Sequence, residues 1–84
     1  QENFDMVKMY REAQALMRDK LISKALSQLQ EGMAAEHVLQ EFGYKLTNQM
    51  MHGPTKALAQ AAQLQDNRTL ELLTDALNVN LDKS

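Results

Sequence analysis

Residues 46–58 read LTNQMMHGPTKAL, and this run predicts a corner between two helices. Its first residues continue an apolar pattern at helical spacing. Gly53 suits the residue that follows a last helical turn, and Pro54 cannot donate the next backbone hydrogen bond. Because proline is favoured at the first position of a helix, we expect a helix–corner–helix, with His52 in the final turn of the first helix.

Apolar spacing and helix start and stop signals predict four helices in all. The first has Asn3 as a possible N-cap and stops at Gly32. Asp66 and Asn67 provide a break and the N-cap of the last helix, after which residues 78–84 are expected to fray. The first three predicted helices span residues 3–31, 35–52 and 54–65. The predicted fold class is therefore all-α, a long N-terminal helix followed by about three shorter ones.

The first helix does not keep a single apolar face. One sector holds Met6, Met9, Tyr10, Ala13, Leu16, Met17 and Leu21, and another holds Ile22, Ala25, Leu26 and Leu29. A helix with one partner keeps one stripe, so we expect a second subunit on the first sector and the chain's own bundle on the second. A simple bend around a core would explain the same pattern, and the sequence leaves both interpretations open.

The second helix carries a stripe that should face the core, with other apolar residues outside it. The stripe consists of Ala35, Val38, Leu39, Phe42, Leu46 and Met50. Tyr44 and Met51 are seven residues apart on a different ridge. With Met33, they are candidates for a second contact surface, or they are ordinary exposed apolar residues.

Composition points to one small helical domain that gains stability by association. The chain has 84 residues, no cysteine and one proline. A chain this short is marginally stable alone, and with no disulfide, oligomerisation is the most available stabiliser. The net charge of −2 argues against a dedicated nucleic-acid surface. The absence of cysteine and of a long apolar run favours a cytoplasmic protein without a membrane span. Because the chain opens at Gln1, we expect a fragment of a larger protein.

The residues give no sign of catalysis, of a cofactor site or of a metal site in this chain. His37 and His52 are fifteen residues apart, without cysteine or paired carboxylates at ligand spacing. No phosphate-binding loop or activated nucleophile is visible.

We expect a structural role for His52, with an interface pH switch as the alternative. Glu36 and Glu41 are expected on solvent faces. The cations Arg11, Arg18, Lys20 and Lys24 are interleaved with acids, which is typical of an ordinary charged surface and otherwise of a weak tRNA-facing rim.

The opening stretch also resembles a family signature. Its residues Leu46, Thr47, Asn48, Met50, Met51, His52, Pro54, Thr55 and Leu58 are similar to the LTNKLLHxPTxxL pattern near the C-terminus of glutamyl-tRNA reductases. LQEG at 29–32 and VL at 38–39 resemble further elements, so the similarity spans about residues 25–77. The chain departs from the pattern at Gln49 and Ala59, where the family commonly has basic residues, which weakens any idea of an anion site here.

The resemblance implies a C-terminal dimerisation domain that forms a multihelical, intertwined homodimer. Residues 1–31 would be the end of a long connecting helix and residues 32–84 the dimerisation domain. The parent enzyme would reduce glutamyl-tRNA with NADPH, through a cysteine thioester, to glutamate-1-semialdehyde for tetrapyrrole and haem synthesis. Its catalytic, NADPH-binding and tRNA-binding residues would lie upstream.

The resemblance and the helical pattern together give a set of candidate dimer-interface residues. They are the nine signature residues just named together with Met9, Leu16 and Met17. Thr47 and Asn48 would hydrogen-bond across the interface, or face water. The alternative function is a free-standing helical adaptor that grips a partner helix in a methionine-rich groove.

Overall fold

The computed structural model describes residues 2–79, with side chains from Phe4 onward, and these residues are helical with short connections. There are three helices: α1 (Glu2–Gln30), α2 (Ala35–Gln63) and α3 (Asn67–Ala76). No strand occurs among the described residues, so the predicted all-α class is confirmed. The expected fraying of residues 80–84 lies outside the described residues.

All three helices end in the same way, with a residue of positive φ just past the last turn. Gly32, Gln65 and Asn78 have φ of 94°, 56° and 61°. After α1, the Met33 N–H donates to the Gln28 carbonyl at 3.1 Å, and the Gly32 N–H donates to the Leu29 carbonyl at 3.1 Å. This pair of bonds is a Schellman motif, which satisfies carbonyls that the helix end would leave unpaired. The predicted stop at Gly32 is therefore confirmed.

The predicted corner at Gly53 is wrong, because α2 is continuous and contains Pro54. A break would leave several N–H and carbonyl groups unpaired at two new helix ends, and Gly53 offers no side chain to cap them. Continuing the helix gives up only one bond, because Pro54 has no N–H to donate to the Met50 carbonyl. The strong helix formers of residues 56–63 favour the second outcome. His52 consequently lies within α2 rather than at its end.

The start of α3 follows the prediction. Asp66 is the N-cap, and its carboxylate accepts hydrogen bonds from the Thr69 backbone N–H at 3.1 Å and the Thr69 hydroxyl at 2.6 Å. These two bonds lower the pKa of Asp66 below its ordinary value. The side chain thus satisfies a backbone donor that the first turn of α3 would otherwise leave unpaired.

The chain divides into two compact units, with the boundary after Thr47. In the first unit, α1 packs against the first part of α2, and Val38 is the fully buried side chain at 1% exposure. The half-buried apolar residues of this unit are Ala15, Met17, Leu21, Ala25, Phe42 and Leu46. In the second unit, Ala61 is buried, and the half-buried residues are Pro54, Ala57, Leu58, Thr69, Leu70, Leu73 and Thr74. The predicted division into residues 1–31 and 32–84 stays a prediction.

Burial corrects the assignment of the two apolar sectors of α1. Of the predicted inner set, Ile22, Leu26 and Leu29 are exposed, with Leu26 at 56%, and Ala25 alone is half-buried. Met17 and Leu21, assigned to the partner, are half-buried instead. The face of α1 that packs in the first unit therefore lies between the two predicted sectors, because a helix with apolar residues on several sides does not reveal from sequence which side meets its own chain.

The inner stripe of α2 is also narrower than predicted. Val38, Phe42 and Leu46 follow one another at four-residue steps and are buried or half-buried. Leu39 at 68% exposure and Met50 at 57%, which belong to the predicted stripe, face outward. The spacing rule thus finds the central positions, and the positions at the edge of the stripe depend on how many helices cover it.

Candidate self-association surface

The first half of α1 carries a stripe of exposed apolar side chains. We define the α1 stripe as Met6, Met9, Tyr10, Ala13 and Leu16, all of which are exposed. Their spacing of three and four residues places them on one side of the helix. Single exposed apolar residues are ordinary, but a contiguous row is typical of a surface that another chain covers.

Two of the three interface candidates on α1 lie in this stripe and the third does not. Met9 is 62% exposed and Leu16 is 58% exposed. Met17 is half-buried in the first unit. Phe4 and Val7 are also exposed but lie outside the stripe on the helical wheel. Apolar side chains therefore surround this part of α1 on more than one side.

The nine signature residues all lie on α2 but differ in burial. Leu46 is half-buried in the first unit, and Pro54 and Leu58 are half-buried in the second. The other six are exposed: Thr47, Asn48, Met50, Met51, His52 and Thr55. The exposed polar members are thus not buried by the part of the chain that the structure describes.

Four of these exposed residues line a shallow depression in the surface of α2. Asn48, Met51, His52 and Thr55 surround it, together with Lys56. All five belong to the second unit and to one helix, so the depression is a property of the α2 surface itself. Four of its five lining residues belong to the sequence signature, although the expected corner had placed them around a turn.

The first unit contains a polar cluster around Glu41 that the sequence analysis missed. Its carboxylate lies 2.9 Å from Nζ of Lys45, 3.6 Å from Nζ of Lys24 and 3.4 Å from Nε2 of His37. Nε2 of Gln28 donates to Oε1 of Glu41 at 3.5 Å. Glu41 was expected on a solvent face, but its side chain is only 27% exposed and joins α1 to α2.

The electrostatics of this cluster follow from its three charges. The hydrogen bond from Lys45 holds the pKa of Glu41 below its ordinary value. Contact with Lys45 also lowers the pKa of Lys24, because two ammonium groups share one carboxylate. Contacts with Lys24 and with the Glu41 carboxylate raise the pKa of Lys45. The pairs Lys24/Gln28 and Glu41/Lys45, each four residues apart, were the sequence signal for these facing polar ridges.

Within residues 2–79, no three His, Cys, Asp or Glu side chains are grouped so that they could hold a metal ion. The helices of this part of the chain are too short or too polar to cross a membrane. His37 belongs to the Glu41 cluster, and His52 lines the α2 depression.

An all-α fold that leaves rows of apolar side chains exposed is typical of a module that assembles with another chain. Residues 1–79 match the family described as "Glutamyl-tRNAGlu reductase, dimerisation domain". The chain belongs to this family of dimerisation domains.

A curated relative gives the same result. The glutamyl-tRNA reductase of Pseudoalteromonas atlantica (strain T6c / ATCC BAA-1087) is 47% identical over 79 residues, which cover 94% of this chain. The chain spans only 19% of the length of that relative. No solved structure matches the chain significantly. These comparisons confirm the resemblance predicted from residues 46–58, and none of them supports the adaptor alternative.

Proposed function

We propose that this chain is the dimerisation module of a glutamyl-tRNA reductase. The observation that carries the proposal is the exposed α1 stripe in a chain that belongs to a family of dimerisation domains. The parent protein would use NADPH to reduce glutamyl-tRNA to glutamate-1-semialdehyde in tetrapyrrole synthesis, in the cytoplasm. Binding of tRNA and NADPH, and the chemistry, would belong to parts of the protein outside this chain. The module itself would hold two subunits together.

Physical chemistry supports self-association. Small domains bury a limited share of their surface, and the fully buried apolar residues among those described are Val38 and Ala61. Complete burial of one large apolar side chain contributes roughly 1.5–3 kcal/mol. Covering the α1 stripe with a second chain would therefore add stabilisation that a single chain lacks. Folding and dimerisation should consequently be coupled.

The proposal is tested by sedimentation and by thermal melting of the 84-residue chain. A homodimer has twice the chain mass of 9.5 kDa. If association stabilises the fold, Tm rises with protein concentration. A well-folded monomer at micromolar concentration, with a melt independent of concentration, would contradict the proposal.

A pair of truncations on α1 locates the effect. Leu16→Ala removes an exposed member of the α1 stripe, and we expect it to weaken the dimer about tenfold, which corresponds to roughly 1.4 kcal/mol. Arg11→Ala changes an exposed residue on the opposite side of the same helix and should leave the dissociation constant nearly unchanged. Equal effects of the two variants would remove the α1 stripe from the interface.

A further inference from the structure

The α2 depression has the residue spacing of a site that receives a side chain from a facing helix. Asn48, Met51, His52 and Thr55 stand at positions i, i+3, i+4 and i+7. In helical coiled coils, four residues with this spacing form the hole that accepts one knob of the partner. All four side chains are exposed in this chain, so the hole is open to a partner.

The depression is part of a longer row along the second unit. We define the α2 seam as Asn48, Met51, Thr55, Leu58 and Ala62, whose spacing alternates between three and four residues. Sustained alternation of this kind keeps one side of a helix in contact with a partner helix. None of the five side chains carries a charge, whereas Lys56 borders the seam. Leu58 is half-buried in its own unit, and the other four are exposed.

We propose that the α2 seam packs in parallel and in register against the α2 seam of a second copy of the chain, with Thr55 in the middle of the contact. This inference rests on the proposed dimerisation function and names a second surface, besides the α1 stripe, that would contribute to it. When the two-fold axis runs along a parallel pair of helices, each seam residue meets its own copy, so each kind of side chain must be compatible with itself.

The side chains of the seam meet this requirement. The amide of Asn48 and the hydroxyl of Thr55 both donate and accept hydrogen bonds, so each can pair with a copy of itself. Met51 and Leu58 are apolar, and a methionine adapts readily to an irregular hole. A seam that carried lysine or glutamate would repel its own copy. A single asparagine in such a seam fixes the alignment of the two helices at some cost in stability, which explains a polar residue at position 48.

Single-cysteine cross-linking tests the seam directly, because the natural chain contains no cysteine. Thr55→Cys is a small change at an exposed position in the middle of the seam. Gln60→Cys is the matched control, exposed on the same helix but on another side. A disulfide requires Cα atoms roughly 4.4–6.8 Å apart, so only a closely paired position is linked efficiently. We expect mild oxidation to yield covalent dimer from Thr55→Cys several-fold faster than from Gln60→Cys.

A charge substitution gives a second measurement that does not depend on disulfide geometry. Met51→Asp places like charges close to each other across the seam, and we expect the dimer dissociation constant to rise about tenfold or more. Gln49→Asp adds the same charge two residues away on another side of α2 and should have little effect.

The outcomes separate this inference from the proposed function. A chain that sediments as a dimer while Thr55→Cys is not linked faster than Gln60→Cys overturns the seam but leaves dimerisation intact. The same holds if Met51→Asp and Gln49→Asp weaken the dimer equally, because the dimer contact would then not depend on the seam side of α2. A folded monomer in sedimentation overturns both proposals.

Discussion

Nζ of Lys45 lies 2.9 Å from Oε2 of Glu41, one helical turn away on α2. The same carboxylate oxygen is 3.6 Å from Nζ of Lys24 on α1. The contact between Lys24 and Glu41 therefore links the two helices of the first unit. Because Glu41 is the one acid between two lysines, its ionisation decides whether the cluster attracts or repels.

The first prediction concerns acid stability. The pKa of Glu41 is lowered from its ordinary value of 4.5, so the unfolded chain takes up this proton first as pH falls. The stabilisation is complete above about pH 4.5 and is lost as pH falls through the lower folded-state pKa. We expect Glu41→Gln to lower Tm at pH 7 and to flatten the fall in Tm between pH 5 and pH 3. Glu12→Gln, at an exposed position of α1, is the control. Parallel pH profiles for wild type and Glu41→Gln would show that the cluster does not stabilise the fold.

The second prediction uses two neighbours with opposite burial. Val38 is 1% exposed and Leu39 is 68% exposed. Val38→Ala removes two buried carbon atoms and should lower the free energy of unfolding by about 2 kcal/mol. Leu39→Ala should change the stability of the chain's own fold by less than about 0.5 kcal/mol. Denaturant titrations at equal concentration compare the two, and a larger loss for Leu39→Ala would mean that a partner covers Leu39.

The third prediction concerns the proline inside α2. A proline in a helix interior costs about 3 kcal/mol relative to alanine, and a glycine costs about 1 kcal/mol. Apart from its chain neighbours and the backbone of its own helix, a Cβ added at Gly53 would meet none of the described atoms within 4 Å. We therefore expect Pro54→Ala and Gly53→Ala to stabilise the chain, with the larger gain for Pro54→Ala. Thermal melts and amide exchange around residues 50–54 measure this. A loss of stability in Pro54→Ala would indicate that the half-buried ring is required for packing in the second unit.

The fourth prediction concerns the end of α2. Gln65 has φ of 56°, and its N–H donates to the Ala62 carbonyl at 3.1 Å. A side chain in this left-handed region costs roughly 1–2 kcal/mol, which glycine avoids. Gln65→Gly should therefore raise the free energy of unfolding by about 1 kcal/mol. Gln63→Gly, within α2, should lower it by about the same amount. A destabilised Gln65→Gly would show that its side chain contributes more than its backbone costs.

Local signals along the chain determined the helical content, several helix ends and the family. Gly32 ends α1 because only glycine adopts φ of 94° without strain, and Asp66 starts α3 because a short carboxylate reaches the Thr69 N–H. Each is a short-range effect that the residue type itself specifies. The polar signature residues around Asn48 and His52 identified the family because apolar periodicity would not require them there.

Pro54 shows the limit of such local rules, because two of them conflict at one position. Proline is both a helix breaker and a favoured first residue, and each property by itself supports the corner that the sequence predicted. The outcome depends on the total number of backbone hydrogen bonds lost, which is smaller when α2 continues.

Tertiary structure alone decided which apolar side chains the chain buries for itself. Leu21 and Leu26 are both leucines on α1, yet Leu21 is half-buried and Leu26 is 56% exposed. The free energy of burying an apolar side chain has no direction of its own and depends on what lies opposite. A helix with apolar residues on several sides is compatible with several packings, and only the position of α2, fixed in part by the contact between Lys24 and Glu41, selected one of them.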